Sequence, residues 1–284
     1  MRELLMLICF AIVAGAAPQS IRDVDWKNYS YPLPETDGVP GEVRWMAPGT
    51  KAIASLSNGR FVVTDDSCSD NIRDCPSVTF DSVRYGALTG ITSTLASVVL
   101  TYHTGGTAHW QYVYLYSLDA GKPRLIDFLR TGSRADQGLR AVSIAGGNLI
   151  LVVNDPDKRQ GDCCSAGTIT TRYRWTGSSF SPIAQPEYKT DPPSFDCAKA
   201  ATPVERLVCQ EVELSFLDSQ MASSYRSRLT SASAGRKEII RQEQAKWLAD
   251  YSRTCNVNLT EPQRHECIYR HLSDRLATIW KSTN

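Results

Sequence analysis

Few side chains in this sequence are placed to carry chemistry. There are four histidines: His103, His109, His265 and His271. His103 and His109 flank Thr104-Gly105-Gly106, a turn signal that puts them at the two ends of a hairpin. With Asp127 or Asp136 they could form a metal or acid–base site. No third ligand sits at a diagnostic spacing, so the preferred reading is two polar residues at strand ends. His265 and His271 stand six apart in a helical stretch and fall on different faces. The sequence contains no GxSxG, HExxH or P-loop pattern. A Ser-His-Asp triad is spatial and nothing here points to one. No catalytic residue, metal or cofactor is expected.

Binding chemistry has better candidates. Asp65, Asp66, Asp70 and Asp74 lie in or beside a short loop that a Cys68–Cys75 disulfide would close. A rigid acidic loop could dock on a basic partner, because preorganisation lowers the entropy lost on binding. The plainer reading, a stapled surface turn, is preferred. Asn154-Asp155-Pro156-Asp157 and Asp162 could supply oxygen ligands to calcium, but the EF-hand pattern is missing. A Pro-containing turn, with Lys158 and Arg159 neutralising the acids, is preferred there. Trp110, Tyr112, Tyr114 and Tyr116 alternate at strand period and share one face. That face could bind glycan or peptide; more commonly it is a sheet core, or packs the N-terminal Tyr/Trp segment.

These residues must be positioned by two kinds of structure. Residues 1 to 16 read as a secretion signal: a charged start, an apolar run from Leu4 to Val13, and Ala14-x-Ala16 before the cut. The run is too short to span a bilayer, which needs about 20 residues. A lipoprotein reading at Cys9 is disfavoured, because Ile8 stands where a small residue is expected and too little sequence lies upstream. The mature chain is therefore expected to be exported, periplasmic or extracellular, with no membrane span.

Export sets the reading of the cysteines. Cleavage leaves Cys68, Cys75, Cys163, Cys164, Cys197, Cys209, Cys255 and Cys267, an even set suited to disulfides. Eight cysteines allow on the order of a hundred connectivities. Proximity suggests Cys68–Cys75, Cys197–Cys209 and Cys255–Cys267. Cys163 and Cys164 then either form a vicinal ring or each reach elsewhere. A redox or metal role for this pair is disfavoured, because it lacks the CxxC spacing.

Residues 17–190 read as all-β. An extended segment rich in Pro and Tyr comes first, over 18–41. Eleven strand signals follow, at 43–46, 52–56, 61–64, 78–85, 97–102, 112–118, 124–129, 139–144, 149–153, 169–175 and 180–183. Asn58-Gly59, Asp119-Ala120-Gly121 and Gly146-Gly147-Asn148 are hairpin turns. An antiparallel sandwich or propeller-like domain is predicted. Asp191-Pro192-Pro193 is the linker.

Residues 191–284 read as three amphipathic helices. Thr202-Pro203-Val204-Glu205 is a capping box with Pro at the first helical position. The first stripe is Leu207, Leu214, Leu217, Met221, Tyr225 and Leu229. The second is Ile239, Ile240, Ala245, Leu248 and Tyr251; the third is Ile268, Leu272, Leu276 and Ile279. The fold class is thus α+β in two segregated domains, the second a disulfide-stapled three-helix bundle.

Charge is nearly balanced, 17 basic to 17 acidic over 17–190 and 13 to 12 over 191–284. That excludes the basic excess of a nucleic-acid binder and offers no global steering toward a basic partner.

The pieces FDCAKA, VERLVC, LDSQMASSYRSRL, EQAKWLADYSRTC and ECIYRHLSDRL resemble the LprI-type lysozyme inhibitors, a bacterial envelope family. The four cysteines and Gln244-x-x-Trp247-Leu248 fit the same pattern, over about 194–280. The β part, in YHTGGTAHWQYVYLYSLDAGKPRL and VNDPDKRQGDCCSAGTITTRYRWTGSSF, is similar to β domains that accompany such domains in exported bacterial proteins. The resemblance implies a non-enzymatic envelope binding protein that occludes a glycosidase, with lysozyme or another envelope protein as partner. The alternatives are an envelope interaction module with another partner, and an exported hydrolase.

Overall fold

The computed structural model describes residues 18–34, 44–46, 50–62, 75–104, 106–161 and 163–281. Among the described residues the strands precede Asp191 and the α-helices follow it, giving the α+β class. The secretion signal, Cys68, Asp162 and the acidic residues Asp65, Asp66, Asp70 and Asp74 lie outside the described residues.

The larger sheet is a six-stranded antiparallel meander. Its strands are β2 (Arg44–Met46), β4 (Arg60–Val62), β5 (Ser77–Gly86), β6 (Leu95–His103), β7 (His109–Asp119) and β8 (Lys122–Arg130), in the order β2-β8-β7-β6-β5-β4. A five-stranded sheet contains β9 (Leu139–Ala145), β10 (Asn148–Asn154), β13 (Gly167–Trp175), β14 (Phe180–Pro182) and β15 (Glu187–Thr190). Two small two-stranded sheets are also present among the described residues: β1 (Ser30–Pro34) with β3 (Thr50–Ser55), and β11 (Arg159–Gln160) with β12 (Cys164–Ser165). All eleven predicted strands are present. Four were missed. One is β1, where Pro32 and Pro34 hide a strand at the edge of a two-stranded sheet, a position that tolerates the missing N–H; the others, β11, β12 and β15, are short or exposed.

Turn chemistry sets the hairpins. Asn58 and Gly59, Ala120 and Gly121, and Gly146 and Gly147 all have positive φ. That is the twist-compatible geometry of tight β-hairpins.

The larger sheet is buried on both faces, so β6 and the middle of β7 show no polar-out alternation. One face carries Tyr112, Tyr114, Tyr116, Val98, Leu100 and Phe128, and packs against Ile21, Trp26, Tyr31, Ala54 and Leu56. The aromatic series is therefore sheet core beneath the N-terminal segment. Tyr31 donates to the Trp26 carbonyl at 2.6 Å and Tyr114 to the Pro32 carbonyl at 2.8 Å, fixing the segment in place. The opposite face packs Leu95, Val99, Val113, Leu115 and Leu129 against Val142, Leu149, Leu151 and Phe180 of the second sheet. The two sheets face each other across that shared core, as in a sandwich.

Where periodicity predicts three helices, the described residues form four: α1 (Pro203–Gln210), α2 (Val212–Ser231), α3 (Ala234–Cys255) and α4 (Glu261–Lys281). Thr202 and Glu205 form the predicted capping box, and Pro203 begins α1. The extra break is the extended residue Glu211. It escaped the pattern because Leu207, Leu214 and Met221 keep a seven-residue spacing across it and all enter one core with Val204, Val208, Ile268, Leu272 and Ile279. Disulfides join Cys197 to Cys209 and Cys255 to Cys267, both as expected. No helix among the described residues is long and apolar enough to cross a membrane.

Candidate functional site

The helical part presents two open concave surfaces. Helix α3 turns Ile240, Gln244, Trp247 and Tyr251 toward its neighbours, while Ile239 and Leu248 are exposed. This corrects the predicted stripe, which placed Ile239 and Leu248 inside. The inward stripe contains a buried Gln, and a pattern read on apolar residues alone passes over it. Gln244 accepts two hydrogen bonds from the Arg275 guanidinium, at 3.1 and 2.9 Å, and its amide approaches the Met221 sulfur. Arg275 also lies over the Trp247 ring at 5.9 Å, and Trp247 stacks on Tyr251 at 5.2 Å. Arg228 reaches Glu243 at 3.0 Å on the same side. Burial holds the Arg275 guanidinium below its ordinary pKa, partly offset by the charge of Glu243.

The Cys255–Cys267 disulfide also joins α3 to α4. A groove of about 640 Å³ runs between them, lined by Trp247, Thr254, Arg270, His271, Asp274 and Arg275. A second, of about 600 Å³, opens on the other side of Trp247 and Arg275, with Lys246, Asp250 and Arg253 on its walls. An aromatic floor with charged walls of both signs suits polar recognition of a protein or sugar surface.

Compared with family models, curated proteins and solved structures, the chain matches none. The site must therefore be read from its own residues.

The β part holds a separate polar cluster. His103 and His109 face each other across the β6–β7 ladder, with their Nδ1 atoms 2.9 Å apart. Neither Asp127 nor Asp136 is assigned to this cluster: Asp127 accepts from the Phe128 amide, and Asp136 pairs with Arg159. The carboxylate near the histidines is Asp81, which sequence reasoning missed. Asp81 is the residue at the register shift between Phe80 and Ser82, a bulge that re-aims its side chain. There it accepts from the Thr101 hydroxyl. Thr79 contacts His103 Nε2 at 3.1 Å. Burial raises the Asp81 carboxyl above its ordinary range, against the pull of the threonines beside it. Burial, then the neighbouring His109, lowers the His103 imidazole. A bulge leaves no composition signal, so only the strand pairing reveals this residue. A small cleft of about 250 Å³ opens beside it, with Ser82, Arg84, Gln111 and Arg140 on its walls.

The remaining candidates resolve simply. Asp155 caps a short turn by accepting from the Asp157 amide, as the Pro-containing turn predicts. Cys163 and Cys164 close on each other as a vicinal disulfide beside β12. Cys75 is disulfide-bonded. His265 lies 3.9 Å from Glu213, and His271 packs against Tyr251.

Proposed function

We propose that this protein is an exported envelope binding protein that inhibits a glycosidase of the lysozyme type by covering its cleft. The groove at Trp247, between α3 and α4, is the observation that carries the reading. Trp247, from the Gln244-x-x-Trp247-Leu248 element of the family resemblance, lines it, Gln244 holds the Arg275 of its wall, and its rim is charged by Arg270 and Asp274. Glycosidase clefts carry a pair of carboxylates, and Arg270, which pairs with Glu266 on the same rim, would exchange that partner for them on docking. In this reading the groove seats a loop at the mouth of the enzyme, and the helical part covers the substrate path. No bond is made or broken.

The test is a lysozyme assay on cell-wall substrate, titrated with the oxidised full chain. Dose-dependent inhibition is expected, weakened about tenfold or more by R270E/D274K on the groove rim, in line with loss of contacts at an interface centre. An uninhibited reaction with every lysozyme class tried, or full inhibition by the rim variant, overturns the reading.

A further inference from the structure

A second concave site lies in the β part, at the edge of the core shared by the two sheets. Along β7, Val113 and Leu115 face the second sheet as part of that core. Strand alternation places Ser117 and Asp119 next on the same face. Arg124 of β8 is the cross-strand partner of Ser117. The apolar series thus ends in a hydroxyl, a carboxylate and a guanidinium. Trp175, the last residue of β13, comes from the second sheet. Thr92 and Ser93 come from the loop between β5 and β6. Together they line a cleft of about 420 Å³, a size in the range of small-ligand pockets.

Ser117 decides how the cleft is read. It is 5% exposed, yet its hydroxyl has no hydrogen-bond partner among the described residues. Buried polar groups are normally paired, so an unpaired one on a cavity wall is left for a ligand or for water. The side chains of Thr92, Ser93, Asp119 and Arg124 likewise form no hydrogen bond or ion pair among the described residues. The walls themselves are fixed. Trp175 packs on Phe180 with ring centroids 4.9 Å apart, and the turn after it is closed by the Thr176 amide on the Ser179 carbonyl at 2.9 Å. The β5–β6 loop is tied by the Thr89 amide to the Gly147 carbonyl at 2.9 Å. Walls set in advance lower the entropy lost on binding.

We infer that this cleft binds a neutral saccharide. A sugar ring has a face of C–H groups and an edge of hydroxyls. The negative π face of the Trp175 indole attracts the first. Each hydroxyl both donates and accepts, so neighbouring ones can donate to Asp119 and accept from Arg124, in the stronger, charge-assisted kind of bond. Ser117 meets the sugar from the floor. Charges of both signs on one rim disfavour an ionic ligand, because Asp119 repels an anion and Arg124 a cation. An α-amino acid carries both charges on one carbon, whereas Asp119 and Arg124 occupy diagonal positions of the ladder, about 7–8 Å apart. No bond is made or broken. The cleft shares no residue with the helical groove, so it stands whether or not that groove covers a glycosidase.

The test follows the six tryptophan indole N–H resonances of the oxidised full chain, assigned by triple-resonance NMR. Cellotriose, chitotriose and maltotriose are each added to about 10 mM, a range that captures weak sites. A saturable shift of Trp175 with at least one of them is expected, with Trp247 and Trp280 unmoved. That readout needs no variant to fold. D119A and R124A should each weaken binding about tenfold or more, as loss of a hydrogen bond to a charged group does, and S117A by a smaller factor. None of the three side chains has a partner among the described residues to lose, so their thermal melts should match wild type. R270E/D274K should bind the saccharide as wild type does. No shift of Trp175 with any of the three sugars, equal shifts of all six indoles, or unchanged affinity in both D119A and R124A overturns the proposal. So does a Trp175 shift produced by glycylglycine or citrate and by no saccharide.

Discussion

Gln244 offers the sharpest test of how the helical part is held together. Its side-chain carbonyl accepts both Arg275 hydrogen bonds, and both residues are below a tenth exposed. Replacing it as Gln244→Leu removes the acceptor and leaves a buried guanidinium short of partners. A hydrogen bond to a charged group is worth about 1.5–3 kcal/mol net, and the two bonds share one oxygen. Their losses therefore do not add, and we expect a destabilisation of about 2–3 kcal/mol. Arg275→Met is the complementary change. It strands the Gln244 carbonyl, at about 1–3 kcal/mol, and loses the contact over Trp247. The double variant Q244L/R275M leaves neither partner stranded and fills the space with apolar atoms. It should cost less than the sum of the singles by about 1.5 kcal/mol or more, since exchanging a buried polar pair for apolar groups of similar volume is often near neutral. The assay is urea unfolding followed by circular dichroism at the helical band, for wild type and all three variants. Two outcomes would refute the reasoning. One is a Gln244→Leu effect below about 0.5 kcal/mol, the size expected of a surface change. The other is additivity of the two singles, which belongs to residues that do not interact.

Three further expectations follow from the same geometry. Removing the Cys255–Cys267 bond as C255S/C267S opens a link spanning 12 residues and should cost about 3 kcal/mol on a chain-entropy basis, whereas C163S/C164S, whose link spans adjacent residues, should cost far less; thermal melts of the three proteins side by side decide this. Thr202→Ala removes the hydroxyl that accepts from the Glu205 amide at 3.1 Å and should lower stability by about 1 kcal/mol, while Thr202→Ser should restore most of it. Asp81 has a folded-state pKa above its unfolded value, so the folded protein holds its proton more tightly and stability falls as pH rises from the ordinary carboxylate range through the raised value. In a pH series of melts, D81N should show a shallower fall than wild type over that window, and parallel curves would remove Asp81 from the account.

Much of the architecture was legible from the chain. Period-two runs separated by Asn-Gly and Gly-Gly turns give the eleven strands found, because those pairs supply the positive φ a tight hairpin requires. Helix starts were equally readable: the Thr202 box and Pro203 declare themselves. So were the two 12-residue disulfides, as pairs already close along the chain. The aromatic ladder at Tyr112, Tyr114 and Tyr116 could be assigned to one face by alternation alone. What lies over that face was one of several readings, the N-terminal Tyr/Trp segment among them, and only the fold selects it, since Trp26 and Tyr31 reach the face through a contact some 80 residues away in sequence, seen in the bond from Tyr114 to Pro32.

Amino-acid type and spacing therefore fixed what repeats locally: strand period, helix period, caps, turns and short covalent loops. Tertiary structure decided everything that depends on two distant segments agreeing. The inward face of α3 is one case, because a buried Gln244 is stable only once Arg275 arrives from α4 to satisfy it. The carboxylate near His103 is the other. Spacing offered Asp127 and Asp136, but a one-residue bulge in β5 turned Asp81 toward Thr101, and only a neighbouring strand's register can place such a bulge.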